Sequence, residues 1–130
     1  NFTFDIDDDS LYSMEKANCL ITDSSGIAIE YMIIFRRPVL YLDEFDKIHN
    51  SEFNDYSSLK TIDNKIKDDF GYLFKKDDFN QIDKIIDSAK KKFQINNLKL
   101  DNFIKNEFFN YGKSKMFLLS KLKELFNDKK

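Results

Sequence analysis

Asp23, Ser24, Ser25 and Gly26 stand between an apolar run that ends at Thr22 and a helical pattern that begins near Ile27. A turn of this composition at a strand-to-helix junction can hold an anion. The first amides of a helix lack intrahelical acceptors and lie at the positive end of its dipole, so a phosphate finds hydrogen bonds and charge together there. Ser24 and Ser25 add hydroxyl donors, and Gly26 lets an anion approach the backbone with no side chain between. Glu30 follows Asp23 by seven positions, about two helical turns, so if the helix includes that stretch its carboxylate faces the same side as the turn. A carboxylate there repels phosphate but accepts hydrogen bonds from sugar or glycerol hydroxyls. Phosphate at the turn and hydroxyls beyond it describe a nucleotide-linked donor. The competing reading is structural: Ser and Asp are ordinary helix caps, and Glu30 can pair with Arg36 or Arg37 at the far end of its helix.

The elements that must position this turn form a βαβ unit. Cys19 to Thr22 and Val39 to Leu42 are short apolar runs of the kind buried in parallel sheets, with a helix between them. Upstream, Asn1 to Ile6 reads as a strand, Asp7-Asp8-Asp9 as an acidic turn, and Ser10 as the N-cap of a helix through about Ala17. Asp43 to Tyr56 loses all periodicity and reads as a long loop with aromatic anchors. Asn64 to Phe70 is a short helix closed by Gly71, and Tyr72 to Phe74 an edge strand. Helices are predicted over Asp78 to Phe93, Leu98 to Phe109 and Ser114 to Phe126, with Lys90-Lys91-Lys92 complementing the dipole at the end of the first. Tyr111-Gly112 separates the last two, where glycine can take the left-handed conformation. The lysine-flanked residues Met116, Phe117, Leu118, Leu119, Leu122, Leu125 and Phe126 are expected to cover the sheet. The sum is an α/β, Rossmann-like, three-layer half-domain: a short, mostly parallel sheet, helices on both faces, a helical C-terminal extension, and one domain over residues 1–130.

Composition narrows the function classes. Of 130 residues, 42% are hydrophobic, and 14 Phe and 6 Tyr against 3 Gly and 1 Pro argue for a packed core and against a disordered chain. A net charge of −2 gives no general reason to bind nucleic acid or an anionic membrane, so any anion site must be local. The single Cys19 excludes an internal disulfide and fits a buried, inert thiol in a reducing compartment. No secretory signal opens the chain, and its longest apolar stretch, Ile27 to Phe35, is broken by Glu30 and falls short of the ~20 residues of a membrane span. The start at Asn1, without an initiator Met, suggests a piece of a longer polypeptide.

The series Leu20-Ile21-Thr22-Asp23-Ser24-Ser25-Gly26, Glu30-Tyr31 and Arg37-Pro38-Val39-Leu40-Tyr41-Leu42-Asp43 resembles the carboxy-terminal half of the CDP-glycerol glycerophosphotransferase family, bacterial enzymes of teichoic-acid and related surface-polymer synthesis. The likeness continues through Lys47-Ile48-His49-Asn50-Ser51-Glu52-Phe53 and Phe109-Asn110-Tyr111-Gly112-Lys113-Ser114. Ser24 stands where members carry an aromatic residue, and Ser51 where they carry Pro. The resemblance implies a GT-B-like transferase of two Rossmann-like domains, of which this chain is the donor-binding part. Ser25 and Gly26 would match residues at the diphosphate of a CDP-linked donor, Asp23 would start that motif, and Glu30 would take the acidic position near donor hydroxyls. It implies no metal and no cofactor, a cytoplasmic location at the inner face of the cell membrane, and a polymer acceptor held mainly by an N-terminal domain. The family's histidine-containing catalytic segments lie upstream of the matched region. His49 therefore does not inherit the base role and reads as a loop histidine, and no catalytic residue is assigned here.

Two other classes have sequence features of their own. Asp5 and Asp7 have the spacing of the paired aspartates of haloacid-dehalogenase-like, Mg²⁺-dependent phosphatases, which follow an apolar strand; the same acidic run can also imitate a response-regulator pocket. A non-catalytic module, packing its aromatic, Lys-rich terminal helices on another domain or resting peripherally on a membrane, is the other.

Overall fold

The computed structural model describes residues 3–6, 9–43 and 60–127. Three short apolar runs form its sheet: β1 (Leu20–Thr22), β2 (Val39–Leu42) and β3 (Tyr72–Phe74), all parallel and in the order β1-β2-β3. In register, Leu20 aligns with Val39 and Thr22 with Tyr41, while Leu40 aligns with Tyr72 and Leu42 with Phe74. Parallel neighbours cannot be joined by a hairpin, so each pair needs a crossover. The helix α2 (Ile27–Phe35) joins β1 to β2, and α3 (Ile62–Phe70) precedes β3. The protein is an α/β fold, as the sequence pattern predicts.

Side chains alternate across a strand, so Leu40 and Leu42 face one side of the sheet and Val39 and Tyr41 the other. On the first side Leu40 and Phe74 pack with Ala89 of α4 (Ile82–Glu107), flanked by Ile82, Ile85 and Ile86 from the same helix. On the second side Tyr41 meets α3, with the Lys67 ammonium 5.9 Å from the centre of its ring. Val39 and Leu40 are fully buried, and burying each aliphatic side chain contributes about 1.5–3 kcal/mol.

Gly71 ends α3 for a reason of space. Its backbone is extended, at φ −73° and ψ 165°, and not left-handed. A Cβ there would lie 2.5 Å from the Tyr41 ring and 2.6 Å from the Lys67 carbonyl oxygen. Lys92, expected at a helix end, sits instead inside α4 and donates from Nζ to the Gly71 carbonyl at 2.5 Å, placing a cation at the C-terminal end of α3. The two helices predicted over Asp78 to Phe93 and Leu98 to Phe109 are one element. A 3-10 turn over Lys76–Gln81, where Asp78 Oδ2 accepts from the Lys75 amide at 2.9 Å, leads into the 26 residues of α4. Residues 94–97 contain neither Gly nor Pro, so nothing in their chemistry interrupts the helix.

The first helix, α1 (Leu11–Lys16), forms where expected with Ser10 at its N-cap position, but the Ser10 side chain makes no capping bond; Asp9 Oδ1 instead accepts from the Leu11 amide at 2.9 Å. Its other end is held from a distance. Arg37 Nη1 donates to the carbonyls of Glu15 and Ala17, both at 2.5 Å, and Tyr31 Oη donates to Ala17 at 2.7 Å. The strand expected over Asn1 to Ile6 is not present in its described part. Thr3–Ile6 are not in a strand, and Phe4 and Ile6 are 78% and 90% exposed; Asn1 and Phe2 lie outside the described residues.

The chain separates into two compact units, Asn1–Asn97 and Leu98–Lys130. The second contains the end of α4 and α5 (Ser114–Asn127), joined by a turn in which Asn110 and Gly112 both take positive φ, at 54° and 71°. Gly112 thus adopts the left-handed conformation predicted for it. Phe109 and Phe117 meet edge to face at 5.4 Å across this turn. Every described residue of α5 is exposed. Among the described residues no helix is long and apolar enough to cross a membrane.

Two stability tests follow from these contacts. Gly71→Ala is expected to destabilise the fold by about 1–3 kcal/mol through overpacking against Tyr41, and Arg37→Ala by about 1.5–3 kcal/mol through loss of charged hydrogen bonds, both read from urea midpoints. Burial raises the phenols of Tyr31 and Tyr41 above their ordinary value, an effect that Arg37 partly offsets at Tyr31. The folded state therefore favours the neutral phenol. Stability should be level below the unfolded-state value of about 10 and fall as pH rises above it, and a urea midpoint unchanged between about pH 9 and 11 would refute this.

Candidate functional site

The Asp23 to Gly26 turn lies at the carboxyl ends of the parallel strands, directly after β1 and before α2. This is the edge at which open parallel sheets take their ligands. The Ala28 amide donates to the Ser25 carbonyl at 3.2 Å and the Ile29 amide to the Gly26 carbonyl at 3.0 Å, so the helix opens in a tight turn. No side chain caps it. The amides of Ser25, Gly26 and Ile27 accordingly meet no acceptor among the described residues. Ser25 and Gly26 are exposed and Ser24 half-buried.

Gly26 has helical backbone angles, φ −60° and ψ −25°, which any residue adopts. Its role is not conformational. A Cβ built on it would meet nothing within 4 Å, so the space beside Gly26 on that side is open. Asp23 is exposed, and its Oδ1 lies 3.5 Å from the Thr22 hydroxyl.

Glu30 is exposed and belongs to the first turn of α2. The argument from seven-residue spacing does not apply as drawn, because α2 begins at Ile27 and Asp23 is outside it. Glu30 is about 4.5 Å along the helix axis from Ile27, and helical Cα–Cβ bonds tilt toward the N-terminus. It is the only charged residue of α2, whose Ala28, Tyr31, Met32 and Ile33 are buried. The alternative pairing with Arg37 is not made, since that guanidinium is engaged at α1. Sequence reasoning missed this use of Arg37 and Tyr31; Arg37-Pro38 reads as an ordinary strand lead-in, and nothing local signals a contact with residues some twenty positions earlier.

Among the described residues a cavity of about 310 Å³ lies elsewhere, along the edge strand, lined by Tyr72, Phe74, Asp78, Lys84, Ile85 and Ser88 among others. It includes none of the predicted site residues. The turn is not part of this cavity. His49 and Ser51 lie outside the described residues, as do Asp7 and Asp8. Asp5 does not stand at the end of a strand, and no cluster of His, Cys, Asp or Glu able to hold a metal occurs among the described residues. Cys19 is partly buried, and burial raises its thiol above the usual value despite the opposing charge of Lys90.

Comparison of the chain with protein-family models, with curated proteins and with solved structures finds no match in any of the three.

The raised Cys19 thiol gives a direct check on this packing. At neutral pH it should react with a disulfide reagent at least about tenfold more slowly in the folded chain than in urea, because less of it is thiolate and less is accessible. Equal rates would contradict the burial.

Proposed function

We propose that this chain is the donor-binding part of a GT-B-like glycerophosphotransferase, holding a CDP-linked glycerol or similar polyol phosphate for transfer to a hydroxyl of a surface polymer. The observation that carries the reading is the uncapped start of α2, with exposed amides and open space beside Gly26 at the carboxyl edge of a parallel sheet. The residue series from Leu20 to Asp43 supports it by its resemblance to the CDP-glycerol family.

In this reading the amides of Ser25 to Ile27 and the Ser25 hydroxyl hold the diphosphate. Glu30 accepts hydrogen bonds from donor hydroxyls. An acceptor hydroxyl attacks the phosphorus that bears glycerol; a new P–O bond forms, the bond to the bridging oxygen breaks, and CMP departs with the electron pair. Fixed amide dipoles aimed at the departing phosphate stabilise the charge it gains, without reorganisation at the moment of reaction. The base that takes the acceptor proton, and the domain that binds the acceptor, belong to a region outside these 130 residues, so the chain alone binds donor and turns over little or none.

Amide NMR tests the assignment. CDP-glycerol should shift the resonances of Ser24 to Ile27, and Ser25→Ala should weaken binding about fivefold, the loss of roughly one hydrogen bond. Glu30→Ala should weaken CDP-glycerol more than CDP. Shifts centred on the Tyr72 to Ser88 cavity, or none at all, would remove the proposal.

A further inference from the structure

We infer that the groove between β3 and the start of α4 takes an extended peptide bearing a carboxylate, an inference independent of the nucleotide reading. Among the described residues β3 has a neighbouring strand on one side only, β2. Alternate residues of a parallel strand turn both backbone groups toward the same neighbour. Phe74 turns toward β2, where its carbonyl accepts from the Asp43 amide at 2.8 Å. Leu73, one residue earlier, therefore directs its N–H and C=O away from β2, and neither meets a partner among the described residues. The cavity of about 310 Å³ lies along this outward edge and is lined by all three residues of β3. Its other wall comes from the 3-10 turn and α4, where Gln81, Lys84 and Ser88 follow at helical intervals and share one face. Every lining residue belongs to the first unit, Asn1–Asn97.

Backbone chemistry selects the occupant. An outward N–H and C=O on one edge residue are matched in donor and acceptor by another extended backbone, and a groove along a sheet edge holds an added strand in this way. Because β3 has three residues, a peptide runs beside it for roughly 10 Å. Side chains of an added strand alternate between the faces of the sheet, so those on the α4 side enter the cavity beside Phe74 and Ile85. Charge adds the carboxylate. Asp78, the acidic residue of the lining, is already folded back, its Oδ2 accepting from the Lys75 amide at 2.9 Å. Lys84 is exposed and makes no ion pair among the described residues. An acidic peptide side chain supplies the partner that the chain itself does not.

The test is selection of phage-displayed random heptapeptides on the full 130-residue chain, followed by amide NMR of the chain titrated with the peptides recovered. Those peptides should carry Asp or Glu and should shift the Leu73 amide more than the amides of Ser24 to Ile27. Leu73→Pro deletes the outward N–H without removing a ladder bond and should weaken binding about fivefold. Lys84→Glu should reverse the selection toward peptides carrying Lys or Arg, with its urea midpoint unchanged because the side chain is exposed. Recovery of no peptide, recovery without acidic preference, shifts that leave Leu73 unmoved, or concentration-dependent self-association that Leu73→Pro abolishes would each overturn the proposal, the last in favour of a second copy.

Discussion

Parallel pairing is the constraint from which the architecture follows. Strands that run the same way must be linked by a chain that crosses from one end of the sheet to the other, so the helix after β1 has to begin at the carboxyl edge. The first amides of α2 are therefore presented at that edge by topology, whatever the turn's sequence. What the turn's sequence decides is whether those amides are used up. Asp9 shows the ordinary solution at α1, a carboxylate folded back onto the first amides. At α2 no side chain does this, although Asp23, Ser24 and Ser25 are all competent caps.

Long-range clamps hold the frame around the turn. Arg37, two residues before β2, reaches back to the carbonyls that end α1, and Lys92, in α4, reaches the carbonyl that follows α3. Each places a cation against the negative end of a helix while satisfying acceptors that have no intrahelical donor. The tyrosines serve the same frame differently. Tyr31 is buried yet satisfies its hydroxyl on Ala17, and Tyr41 packs so closely against Gly71 that no side chain fits there.

Much of this was legible from residue patterns because the strands are short, apolar and bounded by polar or Gly/Pro residues. Val39 to Leu42 and Tyr72 to Phe74 have the bounds their composition predicts. The failures have physical causes. The apolar residues near Phe4 suggest a strand, but hydrophobic pattern alone does not make one, and Thr3–Ile6 are not in a strand. The junction near residues 94–97 is polar enough to suggest a loop, yet Gln, Asn and Ile tolerate helix, and α4 runs through it. For the site, residue types at Asp23 to Gly26 located the turn correctly, whereas the spacing argument for Glu30 counted helical turns through residues that are not helical.

The central claim is that peptide N–H groups entering α2 form a cradle for phosphate, so the affinity for a nucleotide should reside in its phosphates. Equilibrium dialysis of CDP and of cytidine against the chain and its Gly26→Val variant measures this directly. The account predicts that CDP binds, that cytidine does not, and that valine in the open space beside Gly26 abolishes CDP binding without unfolding the protein. Cytidine retained as well as CDP, or a variant that binds CDP undiminished, would contradict it.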